Sequence, residues 1–163
     1  MAKKRKKKVV RFIYQSVGPL PLRLAGQYAG LPLVFSDASA KRCGGLAAVL
    51  FGDTNAEAII TTQSVPLDAS NALEFQAALF ALSQACKHFP DQSFALFTDN
   101  LDTANRLKLA KEQGLARDAE LAHGLNQMGM SDGLAQVSIC WVKGHSSCRG
   151  NTLADQHAAV AAS

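Results

Sequence analysis

Residues Leu33 to Ser39 read Leu-Val-Phe-Ser-Asp-Ala-Ser, an apolar run that drives into a carboxylate and then into small residues. A run of this length, bounded by Pro32 and small polar residues, predicts a fully buried strand over about 32–37. A carboxylate at the end of such a strand is costly unless something compensates its charge. The pattern recurs in Phe94–Thr98, a second apolar run that leads into Asp99. In open α/β sheets, ligands bind at the C-terminal ends of the strands.

The intervening chain completes the sheet. Further strands are expected over about 46–51, 58–63 and 137–142. The short connections between the first three favour antiparallel pairing. Residues 70–88 predict a helix, with Ser70 as its cap and Leu73, Ala77, Phe80 and Leu82 near helical spacing. Helices are also expected over about 101–113, ending at Gly114, and over about 116–128 and 151–162. The order βββαβααβα describes an α/β protein: a five-stranded mixed sheet, three strands antiparallel and then two parallel, flanked by helices. At 163 residues the chain suits one domain with a proper core.

Charge is unevenly spread. Lys3, Lys4, Arg5, Lys6, Lys7, Lys8 and Arg11 hold seven of the 17 basic residues. From residue 12 onward ten basic residues face 13 acidic ones, a net of −3. Residues 1–11 are therefore expected to be a disordered basic arm that binds nucleic-acid phosphates, with a solubility tail or an import-like patch as the alternatives. Residues 12–31, broken by Gly18, Pro19, Pro21, Gly26 and Gly30, read as a linker or docking segment. Cys43, Cys86, Cys140 and Cys148 form no CxxC pair, which argues against a zinc ribbon or a thioredoxin-like site. An intracellular, reducing, cytoplasmic setting is the simplest expectation. No apolar run approaches the roughly 18 residues that span a bilayer, so no membrane partner is expected.

Two further acids share the setting of Asp37 and Asp99. Glu74 falls in the first turns of the 70–88 helix, near its positive end. Asp155 falls early in the last helix. Taken singly, an aspartate after a strand reads as a turn former. If the four converge they cannot all ionise in a dry site without a cation. All-oxygen ligands select hard ions such as Mg²⁺ or Mn²⁺ over zinc.

Four segments carry a resemblance to a known family: Phe35-Ser36-Asp37-Ala38-Ser39, Asn71-Ala72-Leu73-Glu74-Phe75-Gln76-Ala77, Phe97-Thr98-Asp99-Asn100, and Trp141-Val142-Lys143-Gly144-His145 running on to Gly150-Asn151-Thr152-Leu153-Ala154-Asp155. In this order and spacing the chain resembles the type I ribonucleases H over residues 32–163. The resemblance implies a ribonuclease H-like fold and endonucleolytic hydrolysis of the RNA strand of RNA–DNA hybrids, leaving 5′-phosphate and 3′-hydroxyl ends. It implies that Asp37, Glu74, Asp99 and Asp155 bind two Mg²⁺ ions, with Mn²⁺ as an alternative. It also implies that His145, between Gly144 and Ser146-Ser147, assists proton transfer or product release. Substrate contacts are expected from Ser39, Asn71, Asn100, Lys143 and Asn151, with helix capping the competing role for Asn71. The partner would be an RNA–DNA hybrid and the protein a monomer. The competing readings are a non-catalytic nucleic-acid-binding domain on the same fold, or a related metal nuclease of different specificity.

Some positions depart from the family pattern. Ala38 stands where glycine is usual, Leu101 where many members have glutamine, and Thr152 where glutamate is common. Between Asp99 and Trp141, where many bacterial members carry a basic, Trp-rich protrusion, this chain offers only Arg106, Lys108, Lys111 and Arg117 as arginine or lysine, and no tryptophan. The basic arm is the expected substitute.

Overall fold

A computed structural model describes residues 18–54, 56–130, 132–144 and 148–163. Its strands are β1 (Leu33–Ala40), β2 (Gly44–Phe51), β3 (Ile59–Val65), β4 (Phe94–Thr98) and β5 (Val137–Trp141). Its helices are α1 (Leu22–Ala25), α2 (Ser70–His88), α3 (Leu101–Gln113), α4 (Ala119–Gln127) and α5 (Arg149–Ala162). The sheet order is β3-β2-β1-β4-β5. β1 pairs antiparallel with β2, and β2 with β3; β4 pairs parallel with both β1 and β5. This is the mixed sheet expected, with β1 at its centre.

β1 and β4 are apolar on both faces because helices cover both. Val34, Ala48, Leu50 and Leu96 join Phe75, Leu82, Leu107, Leu121 and Leu125 of α2, α3 and α4 in one core. Leu33, Phe35, Val49, Phe51, Ala95 and Phe97 face the other way, toward Ala154 of α5 and toward Leu20 and Tyr28. There Phe35 stacks on Phe97 with ring centroids 4.8 Å apart, and Phe51 and Tyr28 meet these rings edge-on. Each such pair adds about 0.5–1.5 kcal/mol beyond the area it buries. Residues 18–31 thus dock on the α5 side of the sheet, where Gly150 N also donates to Pro19 O.

α5 lies unusually close to the sheet. A Cβ on Gly45 would fall within 2.6 Å of Ala162 N and would overlap Ala158 O. A Cβ on Gly150 would enter the Phe35 ring. Ala154, Ala158 and Ala162, all buried, keep that face of the helix flat. The carbonyl of Ala162, near the end of α5, accepts from Arg42 N and Cys43 N in the β1–β2 turn.

Three boundaries differ from expectation. β1 does not stop at Asp37 but runs on to Ala40, paired with Gly44–Leu46, and the turn is only residues 41–43. Its parallel pairing with β4 ends at Ser36–Thr98, so the β1–β2 hairpin, with β3 still paired beside β2, extends past β4. Ser70 does not cap α2: Ala69 takes the N-cap position with no side-chain bond. α4 begins at Ala119 because Asp118 caps it, accepting from Leu121 N. The arm and residues 12–17 lie outside the described residues.

If the close seating of α5 holds the sheet together, Gly45→Ala should destabilise the protein by about 3 kcal/mol in denaturant unfolding. Gly26→Ala is the control. Gly26 has nothing within 4 Å of an added Cβ and a right-handed helical φ, so it should be neutral or stabilise by about 0.5 kcal/mol.

Candidate metal centre

The sheet register places the first two acids. The last rung between β1 and β4 is Ser36–Thr98, and the next residues are Asp37 and Asp99. Neighbouring strands lie about 4.8 Å apart, so these carboxylates are adjacent before any helix is added. α2 crosses the other face and contributes Glu74, the fifth residue of the helix. One carboxylate oxygen from each of Asp37, Glu74 and Asp99 lies within 4.8 Å of the others.

Burial makes this arrangement expensive. Asp37 is 3% exposed and Glu74 9%. Asp37 Oδ1 accepts from Ala38 N at 2.9 Å, which relieves it only in part. Desolvation, then the charges of Glu74, Asp99 and Asp155, push the Asp37 carboxyl up to about 9. Desolvation and the charge of Asp99 push Glu74 up to about 7, against hydrogen bonds with Asp37 and Ala38 that lower it. Glu74 Oε2 is buried with no hydrogen-bond partner among the described residues. Three oxygens this near one another can converge on one ion with small side-chain movement. A hard divalent cation therefore fits the donor set, the charge and the orphaned oxygen together.

The remaining expected residues divide. Asp155, in the second turn of α5, is exposed and outside the three-oxygen cluster, although its charge is felt at Asp37 and Glu74. Ser39 is half-buried, two residues beyond Asp37 on β1, and Lys143 is exposed in the β5–α5 loop. Asn151 is only 3% exposed, and its Oδ1 has no hydrogen-bond partner among the described residues. Asn71 does not cap α2, for its side chain bonds to Asn100 and Asp102. Asn100 caps α3 through Oδ1, which accepts from Thr103 N. His145 and Lys3–Lys8 lie outside the described residues. Gly144, just before His145, packs against the triad: a Cβ there would lie 3.2 Å from Asp99 Oδ2.

Two residues near the centre were given no role of their own in the sequence reading. Trp141 donates from Nε1 to Asp99 O at 3.0 Å, and with Asn100 N donating to Thr98 Oγ1 it fixes the backbone around Asp99. Asp102 bonds to Asn71, but an acid in a first helical turn reads as an ordinary complement to the helix dipole.

The cluster makes a pH prediction. Folding raises both buried acids, so between about pH 4 and pH 9 the native state holds protons that the unfolded chain has released. Unfolding is then favoured as pH rises. Metal-free protein should lose stability across that window in chemical denaturation, and saturating Mg²⁺ should flatten the loss. Metal-free protein that gains stability from pH 5 to pH 9 would contradict the assignment.

Comparison with known proteins agrees with this fold. A family model described as RNase H matches residues 32–163. No curated protein matches the chain. Among solved structures, the N-terminal RNase H domain of rv2228c from Mycobacterium tuberculosis superposes with a TM-score of 0.60 at 15% identity, covering 82% of this chain and 97% of that one. LC11-RNase H1, solved in complex with an RNA/DNA hybrid, gives 0.55 at 13% identity, covering 81% and 99%. The prototype foamy virus protease-reverse transcriptase gives 0.61 at 19% identity; the match covers 85% of this chain but spans only 21% of the viral protein. At these identities the likeness is one of fold, and it is the family match over residues 32–163 that places this chain in the RNase H family.

Proposed function

We propose that the protein hydrolyses the RNA strand of RNA–DNA hybrids endonucleolytically. The observation that carries this reading is the buried triad Asp37–Glu74–Asp99, whose negative charge has no use in a pure binding module that must face phosphates. Membership of the RNase H family and the hybrid bound by LC11-RNase H1 support the choice of substrate.

Asp37, Glu74 and Asp99 would hold divalent metal, with Asp155 as a ligand at the rim. When bound, a pair of such ions stabilises both the attacking and the leaving oxygen of phosphodiester hydrolysis. Water attacks phosphorus, the bond to the 3′-oxygen breaks, and the products carry a 5′-phosphate and a 3′-hydroxyl. The protein's own groups orient the strand and manage protons. Ser39 and Asn71 flank the acids and can hydrogen-bond ribose, and Lys143 can meet a phosphate. His145 follows a glycine packed on Asp99, and its proton would go to the departing 3′-oxygen.

The α3–α4 region offers little positive charge for gripping a duplex. Arg106 lies 3.6 Å over the Phe75 ring and pairs with Asp118 at 2.7 Å. Lys111 Nζ donates to Val137 O. Of the four basic residues there, two are spent on the fold. The basic arm, Lys3 to Lys8, is the remaining concentration of positive charge.

With Mg²⁺ and labelled substrates, RNA–DNA hybrid should be cut while duplex RNA and duplex DNA survive. Asp99→Asn should lose at least about a hundredfold in rate, since even groups that merely support a metal ligand are worth 10–100-fold. Equal cutting of all three substrates would reject the specificity, and an inert wild type would favour the binding-module reading. Deleting residues 1–11 should make the dependence of hybrid affinity on log salt shallower by about 0.7–0.9 for each phosphate the arm neutralises. An unchanged slope would remove the arm from the interface.

A further inference from the structure

Three side chains between α2 and α3 form a hydrogen-bonded relay whose direction is dictated by its ends. Thr103 N is only a donor, and it donates to Asn100 Oδ1 at 2.8 Å. Asn100 must then turn Nδ2 outward, where it donates to Asn71 Oδ1 at 3.1 Å. Asn71 presents Nδ2 to Asp102 Oδ2, also at 3.1 Å, and an ionised carboxylate only accepts. No amide along the relay has a choice of orientation.

The location gives the relay a use. Asn71 and Asp102 are exposed, so the network closes no core. Arg106 over Phe75 already ties α3 to α2. Asn71 lies one helical turn before Glu74, on the same side of α2. Asn100 directly follows Asp99. The relay therefore runs along the lip of the acid cluster. After its two bonds, Asn71 retains one amide N–H and one lone pair on Oδ1. A ribose 2′-hydroxyl needs one acceptor and one donor, and it is the local mark that separates RNA from DNA.

We propose that Asp102 is a positioning residue for RNA discrimination: it clamps the Asn71 amide in a single orientation, pre-set to meet one 2′-hydroxyl of the RNA strand. The proposal rests on the RNA-strand cleavage reading above. A clamped amide loses little rotational freedom when substrate arrives, whereas an unclamped one must be ordered at that moment. Ordering one such side chain corresponds to roughly a threefold to tenfold loss in affinity.

The test is steady-state cleavage by the full-length protein of hybrids whose RNA strand carries one 2′-deoxy substitution at a time. Wild type should show a rise in KM at one position near the cut. Asp102→Ala should raise KM on the all-RNA strand about fivefold, with kcat the smaller effect, and should show no further rise at that position. Asp102→Asn removes the charge but keeps an acceptor oxygen toward Asn71, so it should restore most of the position dependence. Loss of a charge alone would instead strengthen phosphate attraction at every position. If wild type cuts hybrids but Asp102→Ala keeps the wild-type penalty at the same position, the proposal is overturned and the cleavage reading stands. A lowered melting temperature with unchanged discrimination also overturns it, as the mark of a purely structural tie. If wild type cuts no hybrid, the cleavage reading falls and this proposal falls with it.

Discussion

Repulsion among Asp37, Glu74 and Asp99 is the constraint around which the molecule is arranged. Carboxyl groups this close, and this dry, take up protons when no cation is present, and they stay together because every element carrying them is fixed elsewhere. Asp37 is locked by its rung with Ala47 on β2 and by the Ser36–Thr98 rung just before it, Asp99 by the end of β4, and Glu74 by the apolar face of α2. The energy stored there is available to any ligand that brings compensating positive charge. Folding and ligand binding are thus two halves of one electrostatic account.

The scaffold behind the cluster depends on small residues. Gly45 and Gly150 let α5 lie with its backbone against β1 and β2, and three alanines keep that face smooth. Larger residues would lift the helix and carry Asp155 away from the acids whose charge it now reinforces. The helix in turn is anchored where the carbonyl of Ala162 accepts from two backbone amides of the hairpin turn.

Much of this was legible before any coordinates. The apolar runs ending at Asp37 and Asp99 marked the two central strands, because burial on both faces leaves little room for other residue types. The bounds of α2 were readable from its long apolar face, although the expected Ser70 cap was not the one used. What could not be read depended on contacts distant in sequence. The extension of β1 to Ala40 follows from its pairing with Gly44 and Gly45, which have no side chain because α2 and α5 lie so near. Asn151 was expected as a substrate contact, and its burial, which follows from how closely α5 lies on the sheet, is not readable from the local sequence. The bond between Asn71 and Asp102 joins residues 31 apart, and neither residue type announces it.

The overhang of the β1–β2 hairpin past β4 gives the acid cluster a notch with one raised wall instead of a level rim. If the substrate is the proposed hybrid, such a notch would take one sugar–phosphate backbone at a time. On the proposed reading, action at such a place would be one-sided: each encounter would nick the RNA strand and leave the DNA strand whole.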